Sequence, residues 1–346
     1  MIMAEFSYKW DLANIVQDKK HIKVFSCFSC GGGSTMGYKR AGFDVIGNVE
    51  IDPKINAMYV KNHQPKFNYC MDLRNFNKLK ELPEELFSLD ILDGSPPCST
   101  FSMAGLRERA WNKEKVFREG QKRQRLDDLF FVFLETVAKL KPKIVIAENV
   151  MGIVKGTAKG YVHEIIARFK NLGYRVQIFQ LDAAFMDVPS KRERVFFIAT
   201  NQAHKPLVLN FNRPKVYFAE VRSKNGVEVN PASRTGMLLK HRQPSDHSLG
   251  DINKRLNGRN TSFNDTIVQD DRVCSTISSS GMLFRMCDGK RFSSSDFINC
   301  QTFPQDYDFA GMNVQYVCGM SVPPNMMAHI ATEIYEQWLN VLTILL

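Results

Sequence analysis

The chain is 346 residues long, 44% hydrophobic and 24% charged, which excludes disordered and collagen-like classes and allows one large α/β domain with a smaller appendage. No apolar run reaches the roughly 18 residues of a membrane span, and the first ten residues lack a basic flank followed by an apolar stretch, so a cytoplasmic protein without a membrane partner is expected. The net charge of +10 is concentrated: residues 107–125 hold eight Lys/Arg against three acids, residues 204–274 hold twelve against seven, and the remainder is formally neutral. Such concentration points to a polyanionic partner.

Residues 21–28 form an apolar, β-branched run that ends in Gly31-Gly32-Gly33, with Ser34 placed to cap a following helix. Further strands are expected at 44–49, 89–92 and 143–147, with helices at 53–62 and 127–140 between them. Alternating strand and helix implies a mostly parallel sheet. Runs at 175–180 and 194–199 add two strands whose short connection suits an antiparallel pair at the sheet edge. Residues 204–274 are rich in Asn, Ser, Gly and Pro with weak periodicity, which reads as a loop-rich second domain. Helical character resumes at 323–346. The expected division is 1–203 for the larger domain, 204–274 for the loop-rich one, 275–315 for a hinge and the rest of the small domain, and 316–346 returning to the first.

The strand, glycine turn and helix place backbone N–H groups and a helix N-terminus beside a ligand. Glu50 follows Gly32 by 18 residues at the end of the next strand, where a carboxylate can accept both hydroxyls of a ribose. Asp72, after the following strand position, is a candidate acceptor for an adenine amine, or simply a turn Asp. The segment Asp90 to Ser102 carries Pro96-Pro97-Cys98 just beyond a strand. Two prolines bar helix there, so Cys98 is presented at the carboxyl edge of the sheet, where open α/β proteins bind ligands. Ala147-Glu148-Asn149-Val150 delivers a second acid at a strand end, and Arg192 and Arg194 alternate at the start of another strand, so both are expected to point to one side. Cys27-x-x-Cys30 is the strand and turn itself, without a second Cys pair or a His pair at ligand spacing; no metal site is expected.

In this order the segments resemble the cytosine carbon-5 DNA methyltransferase family over nearly the whole chain. The resemblance implies a Rossmann-like S-adenosylmethionine-dependent methyltransferase fold with a smaller target-recognition domain, and it implies an enzyme of a restriction-modification system. It makes Phe28, Ser29, Cys30, Gly31, Gly32 and Gly33 the cofactor loop, assigns Glu50 and Asp72 to ribose and adenine, packs Ile51 on the adenine face, and adds Pro96, Ser321 and Val322 to the cofactor site. Cys98 is then the nucleophile, with Glu148, Arg192 and Arg194 at the target base. Gln301-Thr302-Phe303-Pro304 looks like the family's hinge motif. The basic segment after Cys98, with Ser99, Arg107, Arg109, Lys113, Lys115, Arg118, Lys122 and Arg123, is expected to close over double-stranded DNA. The implied cofactor is S-adenosylmethionine, the implied state a monomer, and the implied further partner a cognate restriction endonuclease.

The chemistry accounts for these residue types. Carbon 5 of cytosine is a weak nucleophile, so a thiolate adds first to carbon 6 and makes the ring behave as an enamine. Glu148 can address ring nitrogen 3 and the exocyclic amine, and Arg194 the carbonyl oxygen at carbon 2. The target atom is inaccessible within a duplex, so the base must be flipped out. Two positions depart from the family pattern, Cys30 and Met320, where glycine and asparagine are usual. A dinucleotide-dependent oxidoreductase would explain the glycine turn and Glu50 but not Cys98 with Glu148. A transfer-RNA cytosine methyltransferase of the same fold would leave the hinge motif and recognition region unexplained, and a non-catalytic DNA-binding protein would leave the Cys98 constellation unexplained.

Overall fold

The computed structural model of the chain describes residues 5–97, 128–155, 159–258 and 265–340. The chain forms two compact units. The larger comprises Ile15–Leu181, Glu193–Asn210 and Met327–Leu346, and the smaller Met1–Asn14, Asp182–Arg192 and Phe211–Met326. Among the described residues no helix is long and apolar enough to cross a membrane.

The larger unit alternates strand and helix: β1 (Lys19–Cys27), α1 (Gly33–Arg40), β2 (Phe43–Glu50), α2 (Pro53–His63), β3 (Phe67–Cys70), α3 (Leu73–Lys78), β4 (Ile91–Gly94), α4 (Leu129–Leu140), β5 (Ile144–Val150), α5 (Lys159–Asn171), β6 (Arg175–Asp182) and β7 (Glu193–Thr200). They build one seven-stranded sheet in the order β3-β2-β1-β4-β5-β7-β6. β1 pairs in parallel with β2 and β4, β2 with β3 and β4 with β5, whereas β7 runs antiparallel to β5. The expected mostly parallel sheet is thus present, with β7 reversed against β5 and lying between β5 and the edge strand β6. Because helices cover both faces of such a sheet, its inner strands are apolar nearly throughout. On one face Phe25, Leu92, Val145, Ala147 and Phe197 join Phe130, Phe133 and Val137 of α4 and Ile165 of α5 in a continuous core.

One local expectation is corrected. Ser34 does not cap α1; the N-cap is Gly32, in the left-handed region at φ 72°, with no side-chain cap bond. Ser34 lies inside the first turn and is buried, and the helix N-terminus is left without a capping side chain. β3 is only four residues long, too short for its alternation to stand out from sequence.

The smaller unit holds α6 (Phe218–Val221), α7 (Arg234–Leu239), α8 (Leu249–Asn257), β8 (Thr266–Val268), β9 (Leu283–Arg285), α9 (Ser294–Cys300) and α10 (Val314–Met320); α11 (Pro324–Ile334) begins in it and continues into the larger unit. β8 and β9 form a parallel pair over a small core of Leu238, Leu239, Leu249, Ile252, Ile267 and Phe284. The fully buried Arg285 is compensated by Asp296, also fully buried, and by Ser223 Oγ at 2.6 Å. The unit also takes in residues 5–14: Trp10 Nε1 donates to the Thr302 carbonyl at 2.8 Å, Gln305 N to the Trp10 carbonyl at 2.9 Å, and the N–H groups of Leu12 and Ala13 to the Asp306 carboxylate.

The contact boundary falls at 211, against the expected 204, for a visible reason. His204 stacks on Trp338 at 5.5 Å, Trp338 Nε1 donates to the Lys205 carbonyl at 2.9 Å, and Val208 N donates to Gln337 Oε1 at 2.9 Å. At the other end Asn325 donates to the Asp187 carbonyl at 2.8 Å and to that of Phe6 at 2.9 Å, which keeps the start of α11 in the smaller unit.

Candidate active site

The turn after β1 is built from backbone conformations that side chains seldom adopt. Phe28 and Cys30 lie at φ 56° and 46°, and Gly32 at 72°. A left-handed non-glycine residue is disfavoured by roughly 1 to 2 kcal/mol, so Phe28 and Cys30 are held there by their surroundings. Gly32 has a second constraint: a Cβ on it would lie 2.2 Å from His63 Nε2. His63 is buried under the turn, its imidazole held well below its usual pKa by burial and then by Lys39, and so is neutral.

Glu50 ends β2 beside this turn. Its two oxygens accept from Cys30 N and Asp52 N, each at 2.9 Å. Burial raises its pKa, and these backbone N–H groups oppose the rise. The Ile51 N–H also favours the ionised carboxylate, which with about four lone-pair sites keeps acceptor capacity for a ribose hydroxyl. Ile51 is 38% exposed, a large apolar side chain presented beside that carboxylate. Ser29 is buried and its Oγ accepts from Asn48 Nδ2 at 3.1 Å. An acceptor carboxylate beside an exposed apolar side chain fits the ribose and base of an adenosyl cofactor. Asp72 sits at the N-cap of α3, with Oδ1 accepting from Arg74 N at 2.8 Å and the carboxylate ion-paired to the Arg74 guanidinium at 3.1 Å.

At the ends of β4, β5 and β7 the register decides which side chains meet. Glu148 stands opposite Phe196 and Val150 opposite Arg194 in the antiparallel pair, so Glu148 and Arg194 are diagonal neighbours on one sheet face. Arg194 Nε lies 2.8 Å from Glu148 Oε1, and both side chains are largely buried. Asp93 is opposite Ile146, two residues before Glu148, and so shares that face. Asn149 Nδ2 donates to the Pro96 carbonyl at 3.2 Å, tying the Pro-Pro segment to β5. Cys98 follows directly on Pro97, but it, Ser99, Arg107, Arg109, Lys113, Lys115, Arg118, Lys122 and Arg123 lie outside the described residues.

Arg192 and Arg194 do not form the side-by-side pair that alternation suggests, because β7 begins only at Glu193. Arg192 is buried in the smaller unit and donates to the carbonyls of Ile277 and Gly319, at 3.3 and 3.1 Å. The backbone of Ser278 passes so close to Gly319 that a Cβ there would lie 2.4 Å away. Ser321 closes α10 by donating to the Val317 carbonyl at 2.8 Å, and Val322 is buried. Cys27 belongs to the core of the larger unit, its thiol pushed well up by burial and by Asp93. Sequence reasoning passed over Asp93 and His63; a buried acid in a strand and a histidine at a helix end carry no local pattern of their own.

Comparison with known proteins places this geometry. The C-5 cytosine-specific DNA methylase family matches residues 22–336. Type II methyltransferase M.FnuDI of Fusobacterium nucleatum is 34% identical over 177 residues, 51% of this chain and 46% of that protein. M.Sau96I of Staphylococcus aureus is 27% identical over 357 residues, 94% of this chain and 78% of that protein. The chain spans about half the length of several curated relatives that it matches. The solved structure of a mutant DNMT2 of Spodoptera frugiperda superposes with a TM-score of 0.61 at 14% identity, over 90% of this chain and 99% of that one, a likeness of fold. The match over residues 22–336, on a sheet that brings Glu148 to Arg194 and closes the glycine turn on Glu50, means that the chain belongs to the C-5 cytosine-specific DNA methylase family.

Proposed function

We propose that the chain transfers a methyl group from S-adenosylmethionine to carbon 5 of a flipped cytosine in a specific double-stranded DNA sequence, through a covalent adduct with Cys98. The observation that carries this reading is the buried Glu148–Arg194 pair at the ends of β5 and β7, on the strand that also anchors the segment before Cys98. The pair presents an acid and a guanidinium side by side, which suits the edge of cytosine that carries nitrogen 3, the amine and the carbonyl oxygen.

The Cys98 thiolate adds to carbon 6 of the ring, which raises electron density at carbon 5. Glu148 addresses nitrogen 3 and the exocyclic amine as charge builds on the ring. Arg194 holds the carbonyl oxygen at carbon 2, and its ion pair with Glu148 orients both before the base arrives. S-Adenosylmethionine, when bound, supplies the electrophilic methyl group. Glu50 and the backbone from Phe28 to Gly33 would hold it. The carbon-5 proton then leaves and the Cys98 bond breaks by elimination, which regenerates the thiolate. Arg192 acts within the smaller unit, where it holds the carbonyls of Ile277 and Gly319 together. The protein works in the cytoplasm as a monomer, with double-stranded DNA as its substrate. A cognate restriction endonuclease is the partner that a restriction-modification role implies.

Expression in a host free of cytosine methylation, followed by sequencing of its DNA for carbon-5 methylcytosine, tests the proposal. Methylation of one short sequence is expected, and its loss in Cys98→Ser. An unmethylated genome, or full methylation by Cys98→Ser, would overturn it.

A further inference from the structure

Asp93 is a carboxylate in the middle of the sheet, 2% exposed, and the chemistry above does not use it. It belongs to β4, five residues before Cys98. Its Oδ2 accepts from Ser26 Oγ of β1 at 3.0 Å and its Oδ1 from Tyr38 Oη of α1 at 3.1 Å. Both donors are buried and neutral. Ser26 lies one residue before the end of β1, where the cofactor turn departs, and Tyr38 lies on the helix that this turn begins. One side chain thus joins the strand that leads to Cys98 to both flanks of the cofactor turn. Among the described residues no cation pairs with this buried acid, which is an unfavourable setting, and an apolar residue would fill the site with less penalty.

We propose that Asp93 is a positioning residue that fixes the cofactor turn relative to the strand carrying the nucleophile, and that its ionised form does this best because it accepts from Ser26 and Tyr38 together. The inference rests on the methyltransferase reading. A protonated carboxyl gives up one acceptor oxygen, and hydrogen bonds to an ionised acceptor are the stronger ones. Burial pushes the Asp93 carboxyl up to about 7, against the opposing pull of Ser26 and Tyr38, and Glu148 adds to the rise. The switch therefore falls within the working range of pH. Among the described residues the groups that face Asp93 are Ser26 and Cys27 of β1, Tyr38 of α1, Tyr59 of α2 and Glu148 of β5. Burial raises Cys27, Tyr38 and Tyr59 further from neutrality, so they stay uncharged near pH 7.

The sign for stability is opposite to that for function. The folded carboxyl binds its proton more tightly than the unfolded one, so its contribution to stability is full below the unfolded pKa near 4 and is lost as pH rises through about 7. Asp93→Asn keeps the shape and removes the titration. It should melt above the wild type at pH 8 and lose that advantage toward pH 5.

The test is calorimetric titration of the full chain with S-adenosylmethionine from pH 6 to 8.5, for wild type, Asp93→Asn and Tyr38→Phe. The quantity read is the ratio of variant to wild-type Kd at each pH, which cancels titration of the cofactor's own amine. Asp93→Asn should bind about as well as wild type at pH 6 and roughly three- to tenfold more weakly at pH 8.5, the range of one net hydrogen bond. Tyr38→Phe should be weaker at pH 8.5 as well. A ratio that stays constant with pH, or a more stable Asp93→Asn that binds as tightly as wild type at pH 8.5, would overturn the inference while leaving the methyltransferase reading intact. A wild type that binds no S-adenosylmethionine would overturn that reading itself.

Discussion

Gly32 carries two constraints that only glycine meets together. Its φ of 72° is one and the His63 imidazole, 2.2 Å from the place of a Cβ, is the other. The two can be separated by experiment. Gly32→Ala should weaken cofactor binding by tenfold or more and destabilise the chain, since the left-handed backbone alone is worth roughly 1 to 2 kcal/mol. Adding His63→Ala removes the clash but not the backbone strain, so the double variant should recover part of the loss. Additive losses in titration and denaturation would show that His63 does not press on the turn. At this scale the sequence was legible where a residue type is itself rare in its setting, as with Glu50 and Glu148 at the ends of β2 and β5. It was silent on Asp93, whose meaning depends on Ser26 and Tyr38 from elsewhere in the chain. It also misjudged Arg192, because alternation predicts a shared side only for residues that are both in the strand.

Most elements of the larger unit were readable because β2, β5 and β7 are nearly continuous buried runs and α4 is strongly apolar. α4 packs its apolar face onto the sheet core, and the sequence shows that face directly. The N-terminal segment was not readable, since residues 5–14 have no regular period and are ordered by hydrogen bonds to partners nearly 300 residues away. Of these three bonds, that of Trp10 is the part-buried one. Its indole N–H satisfies the carbonyl of Thr302, a buried residue at φ 55° within the hinge motif. Trp10→Ala should lower unfolding stability by roughly 1 to 3 kcal/mol, from a buried acceptor left unsatisfied and lost packing. Trp10→Phe should recover the packing but not the bond. Urea denaturation would check the order, and a Trp10→Ala protein as stable as wild type would show that the segment is not part of the smaller unit's fold.

For the whole molecule, the consequence is where specificity can be exchanged. The family resemblance implies a recognition region at residues 204–274, and a graft with those limits is what sequence alone would suggest. The contacts argue against it. Residues 204–208 are held by Gln337 and Trp338, and the far limit divides β8 from β9 and Ser223 from Arg285 and Asp296. Such a graft keeps the Arg285–Asp296 pair but takes away the Ser223 hydroxyl to which Arg285 donates, and a buried donor left unsatisfied costs about 1 to 3 kcal/mol, in addition to parting β8 from β9. Exchange of 204–274 with the matching region of a related methyltransferase should therefore give poorly folded protein. Exchange of 211–326 carries the buried Arg285 with its partners, both short strands and the hinge motif. It should give a soluble enzyme that methylates the donor's sequence, provided Trp10 and Asp306 keep complementary partners across the junction. Melting curves and methylcytosine sequencing on both chimaeras decide the matter. If the shorter graft folded and switched sequence while the longer one failed, the unit boundaries drawn from contacts would not be those that govern recognition.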